Sequence, residues 1–219
     1  MNNEKIILWG LKASPYVRKV MVALVEKDLI YEQIEIPPQR FLTLSGQVVP
    51  VDFAQASPLG KIPALQVGTF GIADSAVIAA YLDKKFPSSG AVLYPSNPEE
   101  YASALWFEHY ADVTLSDISY KKIFVERIIK PALFKIEGNH EIADHAMTNE
   151  LPPLLDYLNQ SVANKAWLAG THFSMADVAV AVQLLALKKA GLSGLEDRWP
   201  DLNKHLSKVI SRPSFQKIT

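Results

Sequence analysis

The chain contains no cysteine in 219 residues, and that absence excludes more chemistry than any residue present suggests. Disulfide staples, thiolate metal sites, covalent cysteine catalysis and dithiol redox cycling are all closed to it. Any thiol in its chemistry must arrive with a substrate. An excess of one charge is missing too. With 22 basic and 23 acidic side chains, no basic stripe exists to grip nucleic acid or anionic lipid. Long apolar runs are also missing; the best candidate, 176–187, is interrupted by Asp177 and Gln183, so no membrane span is expected. Residues 1–5 are polar and carry no secretory h-region, which makes a cytoplasmic location the expectation. What is present is ample core material, 49% hydrophobic, enough for one large domain or two small ones.

The first 86 residues alternate short strand-like runs with helical patterns. Lys5 to Trp9 is an apolar run closed by Gly10. From Pro15 the period changes, and Val17, Val20, Met21, Leu24 and Val25 share one helical face. Ser14-Pro15 is a helix start, an N-cap hydroxyl followed by proline in the first helical position. Tyr31 to Ile36 reads as a second strand, while 39–60 shows no clean period. Ile62 to Val67 and Phe70 to Ala73 read as a hairpin around Gly68-Thr69, and a last helix carries Ile78, Tyr81, Leu82 and Phe86. Residues 87–97 are rich in proline, serine and glycine, as a linker is. From 98 to 219 only helical spacing remains. The expected architecture is an α/β domain over 1–86 (βαβ-α-ββα, the middle helix falling in the irregular stretch), then an all-α bundle over 98–219.

The segment with chemical meaning is Ala13-Ser14-Pro15-Tyr16-Val17, placed where a strand hands over to a helix. In thioredoxins and glutaredoxins this junction reads Cys-Pro-Tyr-Cys; here Ser14 and Val17 stand in the cysteine positions. A helix N-terminus favours an anion through its unpaired N–H groups and dipole, and a serine hydroxyl can donate to a sulfur held by another molecule. Three later segments resemble the glutathione transferase family at the expected distances. Gly60-Lys61-Ile62-Pro63-Ala64-Leu65 resembles its G-K-V/I-P-x-L segment, which implies a cis bond before Pro63 and pairing of the preceding backbone with the cysteinyl part of glutathione. Asp74-Ser75 followed by Ala76-Val77-Ile78 resembles its E/D-S-x-x-I segment, which implies binding of the γ-glutamyl end. Gly170 to Asp177 resembles its G-x-x-x-S/T-x-A-D capping element.

The resemblance covers nearly the whole chain and implies a thioredoxin-like N-terminal domain. It further implies a cytosolic, bacterial-like, serine-type transferase acting in detoxification, in which Ser14 stabilises the glutathione thiolate for attack on a hydrophobic electrophile. Lys61, Ile62, Pro63, Asp74 and Ser75 would hold glutathione as co-substrate, with no metal. Leu11, Tyr16, Tyr110 and Val113 are candidates for the electrophile pocket, and a homodimer is the family's usual assembly. A cysteine-type mechanism is excluded by composition. The tyrosine type is disfavoured because the end of the first strand reads Ile7-Leu8-Trp9-Gly10. Glutathione-dependent isomerisation or dehalogenation, and a non-catalytic binding or regulatory role, stay open. Residues 41–55 contain no Lys or Arg, leaving Lys61 and Arg40 as candidates for the glycine carboxylate.

Each segment also has a structural reading. Ser14 serves as an ordinary N-cap, Pro63 as a mark of a strand edge, and Asp74-Ser75 as a cap for the following helix. Ser174 and Asp177 form an S-x-x-D capping box, for which the structural role is taken. His140 and His145 are five apart, off a common helical face, so no metal site is expected. Moving a thiol from about pH 8.5 to roughly 6.5 requires about 2.7 kcal/mol of preference for the thiolate. A hydrogen bond to a charged acceptor supplies about 1.5–3 kcal/mol and a helix terminus roughly 0.3–1, so Ser14 with its helix suffices.

Overall fold

The computed structural model describes residues 4–218. The described residues divide into two compact units, 4–94 with 217–218, and 95–216. The first unit is built on a four-stranded sheet of order β2-β1-β3-β4. Strand β1 (Ile6–Trp9) lies parallel to β2 (Glu32–Ile34) and antiparallel to β3 (Ala64–Val67), which pairs antiparallel with β4 (Phe70–Ala73). Helix α1 (Pro15–Glu26) makes the crossover from β1 to β2, and α4 (Ser75–Lys85) follows β4. This is the thioredoxin-like arrangement.

The strand alternation sorts the apolar side chains. Trp9, Ile36, Leu42, Phe53, Ala56 and Ala64 form one buried cluster, with Ile7, Ile34 and Ile62 packed against it. Val17, Val20, Met21 and Leu24 of α1 are buried as the periodicity requires. Val25 is half-buried, and Val22 and Ala23 are buried as well, so α1 is covered on more than one face. Two differences from the sequence reading stand out. The aperiodic stretch 39–60, expected to hold one helix, contains two short ones, α2 (Gln39–Leu44) and α3 (Val51–Ala56), each begun after a proline. Six residues are too few for an amphipathic period to show. The first three strands are also shorter than their expected runs, while β4 keeps Phe70–Ala73. β3 begins only after Pro63, whose missing N–H removes a ladder donor.

The stretch after α4 is tied into the first unit. Lys27 is fully buried with its ammonium 3.3 Å from Asp83 Oδ1, and that oxygen also accepts the Leu93 N–H at 2.9 Å. The Ala91 N–H donates to Glu26 O at 2.7 Å. Leu93 and Tyr94 are buried.

The second unit is all helical. Helix α5 (Pro98–His109) starts at Asn97, whose side chain accepts from the Glu99 and Glu100 N–H groups. It continues in widened, π-type turns over Tyr110–Leu115, a short α6 (Ser116–Ile118), and further π-type turns over Ser119–Phe134. Helix α7 (His140–His145), a π-type turn (Ala146–Glu150), α8 (Leu151–Val162) and α9 (Met175–Lys189) follow. The chain then forms α10 (Leu195–Arg198), α11 (Pro200–Ile210) and α12 (Pro213–Gln216). Helix α9 is apolar nearly all round and lies at the centre of the bundle, with Met175–Leu184 entirely buried. Among the described residues no helix is long and apolar enough to cross a membrane.

Candidate active site

The register Trp9–Ala64–Ala73 puts Ile62-Pro63 and Asp74-Ser75 at the same end of the sheet as the turn between β1 and α1. Gly10 leaves the sheet with its N–H donating to Ile34 O at 3.0 Å, and the Ser14 N–H closes the turn onto Leu11 O at 2.9 Å. Gly10 has φ +145°, and a Cβ there would lie 2.5 Å from Val17 Cγ2 and 3.2 Å from Ile62 Cβ. Only glycine fits where the sheet, α1 and the segment before β3 meet this closely. Ser14 is the N-cap of α1 in extended conformation, half-buried, with Pro15 at the first helical position. Its hydroxyl makes no capping hydrogen bond. The backbone therefore supplies a helix N-terminus, and the serine oxygen stays uncommitted beside it.

The Ile62-Pro63 bond is cis. Neither the N–H nor the C=O of Ile62 enters a hydrogen bond among the described residues. The loop leading to it is held on both sides. Ser57 Oγ donates to Lys61 O at 2.7 Å, and the Gln39 N–H donates to Gly60 O at 2.8 Å. A backbone with a free donor and acceptor, held firmly at its approach, suits strand-like pairing with a short peptide.

Asp74 caps α4, with Oδ1 accepting from the Ala76 N–H at 3.0 Å and the Val77 N–H at 3.2 Å. Its backbone sits at φ 78°, ψ 126°, a conformation that L-residues rarely adopt. A non-glycine residue kept in such a region costs on the order of 1–3 kcal/mol, and such residues cluster at binding sites. Ser75 is buried at the first position of α4, its hydroxyl in no hydrogen bond among the described residues. Carboxylate, hydroxyl and helix N-terminus together offer an acceptor for an ammonium and donors for a carboxylate.

Two family models match the chain. Residues 8–90 match the N-terminal domain of glutathione S-transferases, and residues 122–213 match the C-terminal domain of the same family. The chain belongs to the glutathione S-transferase family. It is 25% identical over 211 residues to a glutathione S-transferase of Hyoscyamus muticus, covering 96% of this chain and 95% of that one. It is 27% identical over 214 residues to glutathione S-transferase 3 of Zea mays, covering 96% of this chain and 91% of that one. The crystal structure of glutathione transferase F7 from Populus trichocarpa has the same fold, with a TM-score of 0.84 at 23% identity and 97% of both chains covered.

The remaining candidates of this transferase-family chain are more dispersed. Lys61 is exposed and pairs with no acid among the described residues. Arg40 is exposed with its guanidinium 5.0 Å from the Phe41 ring centre. Leu11 and Tyr16 are half-buried in the first unit. Tyr110 and Val113 belong to the second. Val113 is 44% exposed, whereas Tyr110 is buried and donates its hydroxyl to Leu154 O at 3.2 Å. Burial, reinforced by the neighbouring Tyr157, pushes the Tyr110 phenol up to about 12. That ring lies tilted against Tyr157, with ring centres 5.0 Å apart, and the Tyr157 oxygen accepts from Trp106 Nε1 at 2.7 Å. No cluster of three metal-ligating side chains occurs among the described residues.

The Gly170–Asp177 element forms as a capping box. Asp177 Oδ2 accepts from the Ser174 N–H at 2.9 Å, and Oδ1 accepts from the Leu168 N–H at 2.9 Å. Sequence reading passed over Gln33 and Gln39, which brace the site's two loops from outside. The available signal was a lone amide, Gln33, in an otherwise hydrophobic and acidic strand.

Proposed function

We propose that the chain is a serine-type glutathione transferase in which Ser14 stabilises the thiolate of bound glutathione for attack on an electrophilic carbon. The observation that carries this reading is the Ser14 hydroxyl, uncommitted at the N-terminus of α1, with the free Ile62 backbone adjoining the same turn. Ile62 pairs through its N–H and C=O with the cysteinyl unit and so sets where the sulfur lies. Asp74 accepts from the γ-glutamyl ammonium with the oxygen not used for capping, and Ser75 donates to the neighbouring carboxylate. Lys61 neutralises the glycine carboxylate.

In the reaction the thiol proton leaves to solvent, and Ser14 donates its O–H to the resulting sulfur anion. The sulfur electron pair forms a bond to carbon while the leaving group departs with its own pair. Ser14 acts by differential stabilisation of the charged sulfur, and the binding residues act by orientation. Leu11 and Tyr16 are the side chains of the first unit proposed to meet the electrophile.

The test compares wild type and Ser14→Ala for retention on immobilised glutathione and for conjugation of a generic aryl halide. The expected result is that both bind and only wild type turns over at an appreciable rate, with a loss of about 10²–10³ in kcat as for removal of a single charge-stabilising donor. Binding without turnover in both variants identifies a non-catalytic member of the fold, and unchanged turnover in Ser14→Ala moves the thiolate partner elsewhere.

A further inference from the structure

We propose that Gln33, on edge strand β2, is a positioning residue for Ser14, an inference that rests on the serine-type reading above. Gln33 Nε2 donates to Gly10 O at 2.7 Å. No backbone N–H donates to that carbonyl among the described residues, so the amide is its partner there. A carbonyl oxygen only accepts, which fixes the amide with its nitrogen toward Gly10. The cost of that orientation is visible. Gln33 Oε1 is left buried and without a partner, although a glutamine turned to solvent would satisfy both ends. The side chain is thus held for what its N–H does at Gly10.

What it does follows from the register. Gln33 lies beside Leu8 in the parallel pair, and Ile34 lies beside Trp9. The Ile34 carbonyl takes the Gly10 N–H, and the adjacent Gln33 side chain takes the Gly10 C=O. One peptide group on each side of Gly10 is thereby pinned to the same edge strand. Four residues later the chain reaches Ser14, whose N–H donates to Leu11 O at 2.9 Å and whose carbonyl accepts the Arg18 N–H at 3.0 Å, with Lys12 paired to Glu35 at 3.4 Å on the way. Val17 and Ile62 block Gly10 from moving toward α1 or the loop before β3, and Gln33 holds it from the third side. Removing the amide lets the Gly10 carbonyl swing, and the Ser14 oxygen moves relative to a sulfur fixed by Ile62.

The molecule contains its own control. Gln66 on β3 makes the same kind of bond, Nε2 to Gly68 O at 2.9 Å, and likewise leaves a buried Oε1 unpartnered. The turn it pins, Gly68-Thr69, carries no site residue. The experiment compares Gln33→Met and the shorter Gln33→Asn with Gln66→Met and Ser14→Ala. It reads the pH midpoint of kcat/KM with an aryl halide, the separate kcat and KM for glutathione, and hydrogen exchange at the Ser14 amide. Both Gln33 variants are expected to raise the midpoint by about one pH unit and lower kcat at neutral pH about tenfold, with KM within about twofold. Exchange at Ser14 is expected to quicken, while Gln66→Met lowers the melting temperature without moving any of these readouts. An unmoved midpoint in the Gln33 variants, with Ser14→Ala shifting it, overturns this proposal alone. No shift in Ser14→Ala overturns the serine reading and this proposal with it. Failure of both Gln33 variants to fold while Gln66→Met folds assigns Gln33 to the fold and also overturns it.

Discussion

Asp177 accepts the backbone N–H of Ser174, three residues earlier, at 2.9 Å, and both residues are fully buried. The other oxygen of this carboxylate, Oδ1, takes the Leu168 N–H, and His205 Nε2 lies 3.1 Å from that same Oδ1. It therefore ties the loop before α9 to the start of the helix around which the second unit packs. Asp177→Ala leaves two buried N–H groups without an acceptor, each costing about 1–3 kcal/mol. The expected outcome is a loss on the order of 3 kcal/mol in urea unfolding, with Asp177→Asn retaining part of it.

Tyr110 gives the second unit an alkaline limit. Its phenol is held up near 12, first by burial and then by the Tyr157 hydroxyl, against 10.0 for a free tyrosine. The folded state therefore holds this proton more tightly than the unfolded chain does. The contribution is fully present below pH 10 and is lost as the pH rises from 10 towards 12, on the order of 2 kcal/mol in all. Stability of wild type minus that of Tyr110→Phe, followed by denaturant midpoint across this range, is expected to fall with rising pH. Tyr31 and Tyr81, also raised by burial, are common to both proteins and cancel in the difference.

Much of this architecture is legible in the sequence, and what is not has definite causes. The period shift at Pro15 marks α1 because its apolar residues recur over twelve positions. That the middle stretch holds two helices, α2 and α3, and where they lie is illegible because neither reaches two full turns. The Ser14 N-cap is readable from its neighbour Pro15, but not that its hydroxyl would be left out of the cap. That depends on the three-dimensional turn from Gly10. Asp74 reads as a cap and is one, whereas its unusual backbone angles follow from the β4–α4 junction and leave no trace in residue type. Tyr110 reads equally as core or pocket, and only its bond to Leu154, 44 positions away, shows that its hydroxyl is spoken for. Gln33 is visible as an out-of-place amide, but its partner needs the sheet register.

Gly10 tolerates no side chain. Both its φ of +145° and the 2.5 Å approach of Val17 Cγ2 to a built Cβ oppose substitution. Gly10→Ala is expected to destabilise by about 1–3 kcal/mol, the range for overpacking. Gly10→Ala with Val17→Ala is expected to recover only part of the loss, because the backbone conformation stays unfavourable. Thermal unfolding of both variants measures this.

Asp74 separates capping from binding. Asp74→Asn keeps an oxygen for the Ala76 and Val77 N–H groups but removes the charge proposed to meet the γ-glutamyl ammonium. The expected outcome is a KM for glutathione raised about tenfold, with kcat and melting temperature nearly unchanged, as for loss of one charge-assisted hydrogen bond. Asp74→Ala is expected to lose the cap as well, lowering stability by about 1 kcal/mol. Steady-state kinetics beside thermal melts distinguish the two effects.

The most direct measurement is the pH titration of the ultraviolet thiolate absorbance of glutathione bound to wild type and to Ser14→Ala. Wild type is expected to hold the bound thiol about two pH units below its free value near 8.5, and Ser14→Ala to return it most of the way. Superimposable titrations for the two proteins, with glutathione bound in both, would contradict the assignment of Ser14 as the group that stabilises the sulfur anion.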